Sequence, residues 1–493
     1  MTLLDSATWS AKIAAGGWIP GGGALLPVRD VATGETIGEL GTATPEQVLE
    51  AATRAAAAQR QWAALPPAAR AGVLRRAGDL FEQHADEIAS WIVRESGGSH
   101  AKARSEVLAA IAECREASAL PSHPHGEVLP SNKPRWSFSR RIPVGVVTVI
   151  APFNYPLTLA IRSVAPALGL GNAVLLKPDP RTSVGGGVAI QRVFEEAGLP
   201  TGVLQTLPGG AEVGVAAVEA PEVSVISFTG STAAGRRVGE AVARLLKRAH
   251  LELGGSNALI VLPGADVERA AATGAYSSFL HQGQICQTAG RHLVHESQYD
   301  EYVDALTRIA ESLRVGDPHV RPEVEMGPII DDGQFAAVCA IVDAAVEGGA
   351  EVVTGGPVGQ RYFRPTVLRG IRPDMLAWRE EIFGPVAPVL PYRTLDEAID
   401  LVNESEYGLS VSLLGDAGTA ISIADRIMSG KVHINEQTVN DEANVPFGGV
   451  GASGNGARFG GPAANIDAFT ETQWITVKAE MEVNPWPTPV PSA

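Results

Sequence analysis

"VGVVTVIAPFNYPLTLAIRSVAPALGLGNAVLLKP", residues 144–178, decides the fold class. It opens with a run of Val and Ile that closes at Pro152 and reads as a buried strand. "LTLAIRSVAPALGLG" reads as a helix that stops among glycines, and "AVLLKP" as a second strand. Strand, helix and strand over this length make a βαβ unit, with parallel strands and a right-handed crossover.

The alternation continues toward the C-terminus. "VLQTLPG", "VSVISFTGS" and "NALIVL" read as strands, separated by the helical stretches "VGGGVAIQRVFEEAGLP" and "TAAGRRVGEAVARLL". A second set follows, with a helix over residues 265–272 and strands at "RHLVHE", "EVVTGG" and "VAPVLPY". The expected fold is α/β, with mostly parallel, doubly wound sheets. Toward the N-terminus, Thr44, Pro45 and Gln47 form the N-cap, first position and capping box of one helix. Residues 66–97 predict further helix, ending at Gly97. "PSHPHGEVLPSNKPRWSFSRRIPVG" predicts an exposed extended excursion, "TETQWITVKAE" one more strand, and "NPWPTPVPSA" a polyproline tail.

The chain of 493 residues carries 39 Lys plus Arg against 55 Asp plus Glu, a formal net charge of -16. Such a surface repels phosphate backbones and anionic lipid, so neither nucleic acid nor a membrane is expected as a partner. The first twenty residues lack a signal-peptide pattern, and no apolar run suits a membrane span. Cys114, Cys286 and Cys339 have neither zinc nor disulfide spacing, which predicts reduced thiols in a cytoplasmic protein without a bound metal.

No G-x-G-x-x-G follows any strand. "SFTGSTAAG" does end one strand and open a helix: Gly230 permits a tight turn, and Ser231 stands at a helix start suited to phosphate. Lys177 ends its strand at the sheet edge where α/β proteins bind ligands.

Together "APFNYP" at 151, "KPDP" at 177, "FTGSTAAG" at 228, "LELGGSNALIVL" at 251, "GQICQTAGR" at 283, "EEIFGPV" at 380 and "PFGGVGASGNG" at 446 resemble the aldehyde dehydrogenase superfamily, in its order and spacing. The resemblance implies NAD(P)-dependent oxidation of an aldehyde to an acid. Cys286 matches the family nucleophile, Asn154 the oxyanion donor, and Glu252 the base that activates water. Lys177 matches a further functional position, contacting the adenosine ribose, and Ser231 a pyrophosphate contact beside Gly230. Pro152 and Phe153 lie on the cofactor side, while Glu381 and Phe383 match the groups around the nicotinamide ribose and ring. Pro180 stands where strongly NAD-preferring relatives carry glutamate, between Asp179 and Arg181, so the expectation is NAD with NADP possible.

Among subfamilies the chain looks most like bacterial benzaldehyde- and vanillin-type dehydrogenases, which implies an aromatic aldehyde. The alternative is a semialdehyde or aliphatic aldehyde. Tyr155, Leu159, Arg162, Leu280, Ile285 and Gln287 are expected to line the substrate tunnel, whereas His281 and His433 read as structural. The implied domains are a cofactor domain over 1–251 with an arm at 124–142, and a catalytic domain over 252–445. Residues 446–469 return to the cofactor domain, and 470–493 form an oligomerisation strand and tail. A homodimer or homotetramer is implied.

Overall fold

The computed structural model describes residues 2–481, so the proline-rich tail lies outside the described residues. The first sheet uses β1 (Lys12–Ala14), β2 (Trp18–Pro20), β3 (Val146–Ile150), β4 (Ala173–Lys177), β5 (Leu204–Thr206), β6 (Val223–Thr229) and β7 (Arg248–Glu252). Their spatial order is β7-β6-β3-β4-β5-β1-β2. The five strands from β3 to β7 are parallel, and β1 and β2 extend the edge antiparallel. The chain winds outward from β3 through β4 to β5, then returns to β6 and β7 on the other side of β3. The winding therefore reverses between β3 and β6, and a crevice opens there beyond the strands' carboxyl ends.

The second sheet holds β8 (Asn257–Val261), β9 (Ala289–His295), β10 (Glu351–Val358), β11 (Tyr362–Arg369), β12 (Val386–Tyr392), β13 (Ser410–Leu414) and β14 (Lys431–Ile434), in the order β10-β11-β12-β9-β8-β13-β14. It is parallel except for β10, which makes an antiparallel edge with β11. One apolar core runs from Leu3 to Leu253 and takes in Phe459, Ala468 and Phe469. The apolar residues around the second sheet, from Ala258 to Ile427, form two further clusters.

Helix α1 (Pro45–Ala63) starts with the expected reciprocal bonds between Thr44 and Gln47. The stretch expected as continuous helix breaks at His84, giving α2 (Pro67–Gln83) and α3 (Ala85–Ser96); α3 ends on Gly97 at φ 68°. Then come α4 (His100–Ala117), α5 (Pro156–Gly169), α6 (Ala211–Glu219), α7 (Thr232–Arg244) and α8 (Val267–Phe279). Every residue of α5 is buried, so its polar side chains need internal partners: Ser163 pairs with Ser227 at 2.9 Å and Arg162 donates to Thr229 at 3.0 Å.

The strand Thr470–Val477 pairs antiparallel with Trp136–Pro143, which also pairs with Gly126–Val128. This three-stranded arm leaves Val128, Trp136, Trp474 and Val477 exposed.

Candidate active site

The site forms where the carboxyl ends of the first sheet meet the loop before β9. That loop, "HQGQICQ", holds His281 and Gln282 at φ 49° and 57°, a left-handed conformation that side chains rarely adopt. Its polar side chains hold it in place. Gln282 donates to the Gly97 carbonyl at 2.8 Å, and the Gln284 side chain accepts from Ile330 N–H at 3.0 Å. Gln287 accepts from Lys431 and from Asn440 N–H. Asn257, at the start of β8, donates to the Cys286 carbonyl at 2.8 Å.

Two glycines let the elements converge. A Cβ on Gly254 would lie 2.1 Å from a Glu381 carboxylate oxygen, and one on Gly255 would lie 2.6 Å from the Cys286 carbonyl. The "LGG" turn is thus fixed by close approach.

Cys286 is half-buried and lines a cavity of about 600 Å³ with Asn154, Tyr155, Leu159, Leu280, Ile285 and Gln287. Six expected residues therefore share one chamber with the thiol. Arg162 does not join them. Its guanidinium is buried under α5, bonded to Thr229, 3.7 Å from Asp441, and stacked on Phe447 and Phe459. Because α5 is buried all round, a residue on it can face the protein interior as well as the chamber, and Arg162 does so. His281 and His433 also lie outside the chamber lining: His281 packs edge-on against Tyr155, and His433 sits 3.9 Å from Glu436.

Among the described residues, neither the Asn154 side-chain amide nor the Cys286 N–H has a hydrogen-bond partner, so both donors are available. Asn154 precedes α5, whose first free amides, Leu157 and Thr158 N–H, donate to Glu106 of α4 at 3.0 and 3.3 Å. Glu106 also pairs with the buried Lys102, so a carboxylate on another helix caps α5 and fixes the backbone beside Asn154.

Burial pushes the Cys286 thiol up to about 12, despite the positive fields of Arg162 and Lys431. Burial likewise raises Glu252 to about 8 against the pull of Arg162, Arg458 and Lys431. Neither Glu252 carboxyl oxygen has a hydrogen-bond partner among the described residues. An unbonded carboxyl with an elevated pKa is suited to accept a proton.

On the cofactor side, the crevice is flanked by Pro152 and Phe153 after β3 and by Gly230 and Ser231 after β6. A Cβ on Gly230 would strike the Phe228 ring at 2.7 Å, and Ser231 caps α7 by accepting from Ala234 N–H at 3.4 Å. Between α6 and α7 lies an apolar slot of about 290 Å³, lined by Val215, Val218, Phe228, Ala234 and Val238, with Lys177 at its edge. The slot is apolar on both walls, which suits a flat heterocycle. Glu381 accepts from Gly255 N–H at 3.0 Å, and burial raises it to about 7. Phe383, at φ 50°, meets Phe153 edge-on at 5.8 Å. Arg181, next to Pro180, is fully engaged: Asp179 accepts from it twice at 2.9 Å, Asp331 once at 2.6 Å, and it covers the Phe153 ring.

Sequence reasoning missed Glu106, Glu113, Asn257, Lys431, Asp441 and the whole of α6. Only Asn257 had a local signal, lying two residues beyond the double glycine. No helix among the described residues is long and apolar enough to cross a membrane.

The model of the aldehyde dehydrogenase family matches residues 18–475. A vanillin dehydrogenase of Amycolatopsis sp. is 56% identical over 487 residues, covering 99% of this chain and 100% of the relative. A benzaldehyde dehydrogenase [NAD(+)] of Pseudomonas putida is 46% identical, covering 95% and 96%. Among solved structures, a salicylaldehyde dehydrogenase from Pseudomonas putida G7 complexed with salicylaldehyde superimposes with a TM-score of 0.93 at 34% identity, covering 97% of this chain and 99% of that one.

Proposed function

Since the chain belongs to the aldehyde dehydrogenase family, we propose that it oxidises aromatic aldehydes to carboxylic acids with NAD, through a thioester on Cys286. The observation that carries this reading is the shared chamber. It sets a thiol and a free amide against walls of Tyr155, Leu159, Tyr276, Leu280 and Ile285, which suit an aromatic ring. The relatives named for vanillin, benzaldehyde and salicylaldehyde support the same substrate class.

The Cys286 thiol releases its proton to solvent and its sulfur adds to the carbonyl carbon, forming a tetrahedral thiohemiacetal. The Asn154 amide and the Cys286 N–H donate to the new oxyanion, a contribution of about 10²–10³ in rate per donor. Bound NAD would supply the acceptor for the hydride that leaves this carbon. Glu252, in its ionised form, then removes a proton from water, whose oxygen attacks the thioester; the acid leaves and Glu252 returns that proton to the Cys286 sulfur. Lys177, Ser231 and the slot between α6 and α7 would hold the adenosine and pyrophosphate, and Glu381 and Phe383 the nicotinamide end. NAD fits better than NADP because Asp179 and Asp331 already occupy Arg181, leaving no free guanidinium for a 2′-phosphate.

The domain reading follows the cores: the first sheet carries the cofactor, and the second carries Cys286. The exposed tryptophans of the arm support a homodimer or a tetramer of dimers, in which a second copy covers that sheet. Three free cysteines support a cytoplasmic location. The test is NADH formation from benzaldehyde, run beside NADP, with benzoate identified by mass. A higher kcat/KM for acetaldehyde or succinic semialdehyde would reject the aromatic reading.

A further inference from the structure

Helix α4 forms one wall of the Cys286 chamber. Ser105, Ala109, Ala112 and Glu116 recur at helical spacing along that wall, and the three small residues among them make room for a ligand. Glu113 lies on the same wall and differs from every other buried glutamate outside the chemistry. Four glutamates are buried among the described residues: Glu95, Glu106, Glu113 and Glu252. Glu95 accepts from Val184 and Gly185 N–H, and Glu106 holds Lys102 and the start of α5. Glu252 is unbonded because it is the proposed base. Glu113, only 7% exposed, also has no hydrogen bond or ion pair among the described residues. Unlike those of Glu252, its oxygens are not sealed inside the protein: they open onto the chamber and are free to bond a ligand there.

Asn440, Asp441 and Tyr276 also line the chamber, with Asp441 close to Glu113. Asp441 has Arg162 at 3.7 Å, whereas Glu113 keeps its oxygens for whatever enters. The chamber's mouth is marked by Leu108 and Tyr276, exposed at 66% and 52%, which suit the faces of an aromatic ring. An aldehyde carbon placed on Cys286 directs the opposite edge of its ring toward another wall.

We infer that Glu113 is a specificity-determining residue that hydrogen-bonds a ring hydroxyl remote from the carbonyl, so that the preferred substrates are phenolic aldehydes. This rests on the proposed aromatic aldehyde oxidation. Burial, reinforced by the neighbouring Asp441, raises Glu113 to about 8. At neutral pH it therefore carries a proton for much of the time and can donate as well as accept. A site built around a substrate hydroxyl discriminates against the analogue that lacks one, because its own buried polar group is then left unpaired.

The test measures kcat/KM for benzaldehyde, 4-hydroxybenzaldehyde and 4-methoxybenzaldehyde in wild type, Glu113→Gln and Glu113→Leu. The methoxy compound keeps the bulk of a para substituent and removes the donor. Wild type is expected to favour the hydroxyl over the methoxy compound. The ratio of 4-hydroxybenzaldehyde to benzaldehyde should fall about 10- to 100-fold in Glu113→Leu, with an intermediate value in Glu113→Gln. If Glu113→Leu does not fold, the Glu113→Gln ratio decides. A ratio equal to wild type overturns the role of Glu113 while aromatic oxidation stands. No turnover of any of the three aldehydes by wild type overturns both.

Discussion

Replacing Glu106 with leucine tests whether α4 holds the oxyanion donor in place. Glu106 and Lys102 are both fully buried, so Glu106→Leu strands an ammonium without its counter-charge. Breaking one side of such a pair typically costs about 3–5 kcal/mol. The same change leaves Leu157 and Thr158 N–H without their acceptor, at roughly 1–3 kcal/mol each when buried. Burial already lowers the Lys102 pKa, so the lysine can relieve part of the penalty by releasing its proton. The expected net loss is therefore about 4 kcal/mol, well below the sum. The double variant Lys102→Met with Glu106→Leu removes the stranded charge and should recover about half of it, leaving only the uncapped α5. Urea unfolding followed by circular dichroism reads the stability, and steady-state kcat reads the position of Asn154. A loosened α5 start should cost about tenfold in kcat, a fraction of what losing an oxyanion donor costs. Glu106→Leu unfolding like wild type with an unchanged kcat would refute the reasoning. So would full recovery of kcat in the double variant, because a pure charge effect would then suffice.

Other outcomes follow from the same geometry. At pH 7 both Cys286 and Glu252 are held protonated by burial, with Glu252 at about 8, so kcat/KM should rise as pH climbs from 7 to 9. A rate that falls across that range would contradict the placement of both groups. Asp331→Asn releases one arm of Arg181 and should raise the efficiency with NADP relative to NAD by about fivefold, a half-exposed charge contact being worth roughly 1 kcal/mol; the two cofactors are compared in initial rates. Gly254→Ala pushes a methyl against the Glu381 carboxylate and should raise KM for NAD more than it lowers kcat, with little loss of thermal stability. Trp474→Glu puts a charge on the exposed arm and should shift the mass in light scattering toward a single chain.

The fold was legible wherever local pattern and tertiary use agree. The Val and Ile runs of β3, β4, β6 and β8 are buried on both faces of parallel sheets, and such strands read directly as apolar runs. The capping box at Thr44 is a local interaction and was equally plain. β7 was invisible because "RAHLE" has little strand propensity; it forms because Arg248 to Glu252 dock in parallel register on Val225 to Thr229. The break at His84 has no proline or glycine to announce it. The antiparallel turn of β10 onto β11 likewise depends on pairing that no single segment encodes.

The candidate site divides along the same line. Cys286, Asn154 and Glu252 stand inside recognisable contiguous motifs. Glu113 and Asp441 come from α4 and from the loop after β14, 328 positions apart in numbering from 113 to 441, and meet only in the chamber. Arg162 was expected at the tunnel from the resemblance, but α5 is buried on every side and its guanidinium turns to Thr229 and Asp441 instead.

The most direct measurement is the mass of Glu252→Gln after mixing with benzaldehyde and NAD, followed by peptide mapping. The expected result is one burst of NADH per site and a benzoyl group retained on Cys286, because the thioester forms but water is not activated. A benzoyl group on Cys114 or Cys339, or steady turnover with Cys286 unmodified, would contradict it.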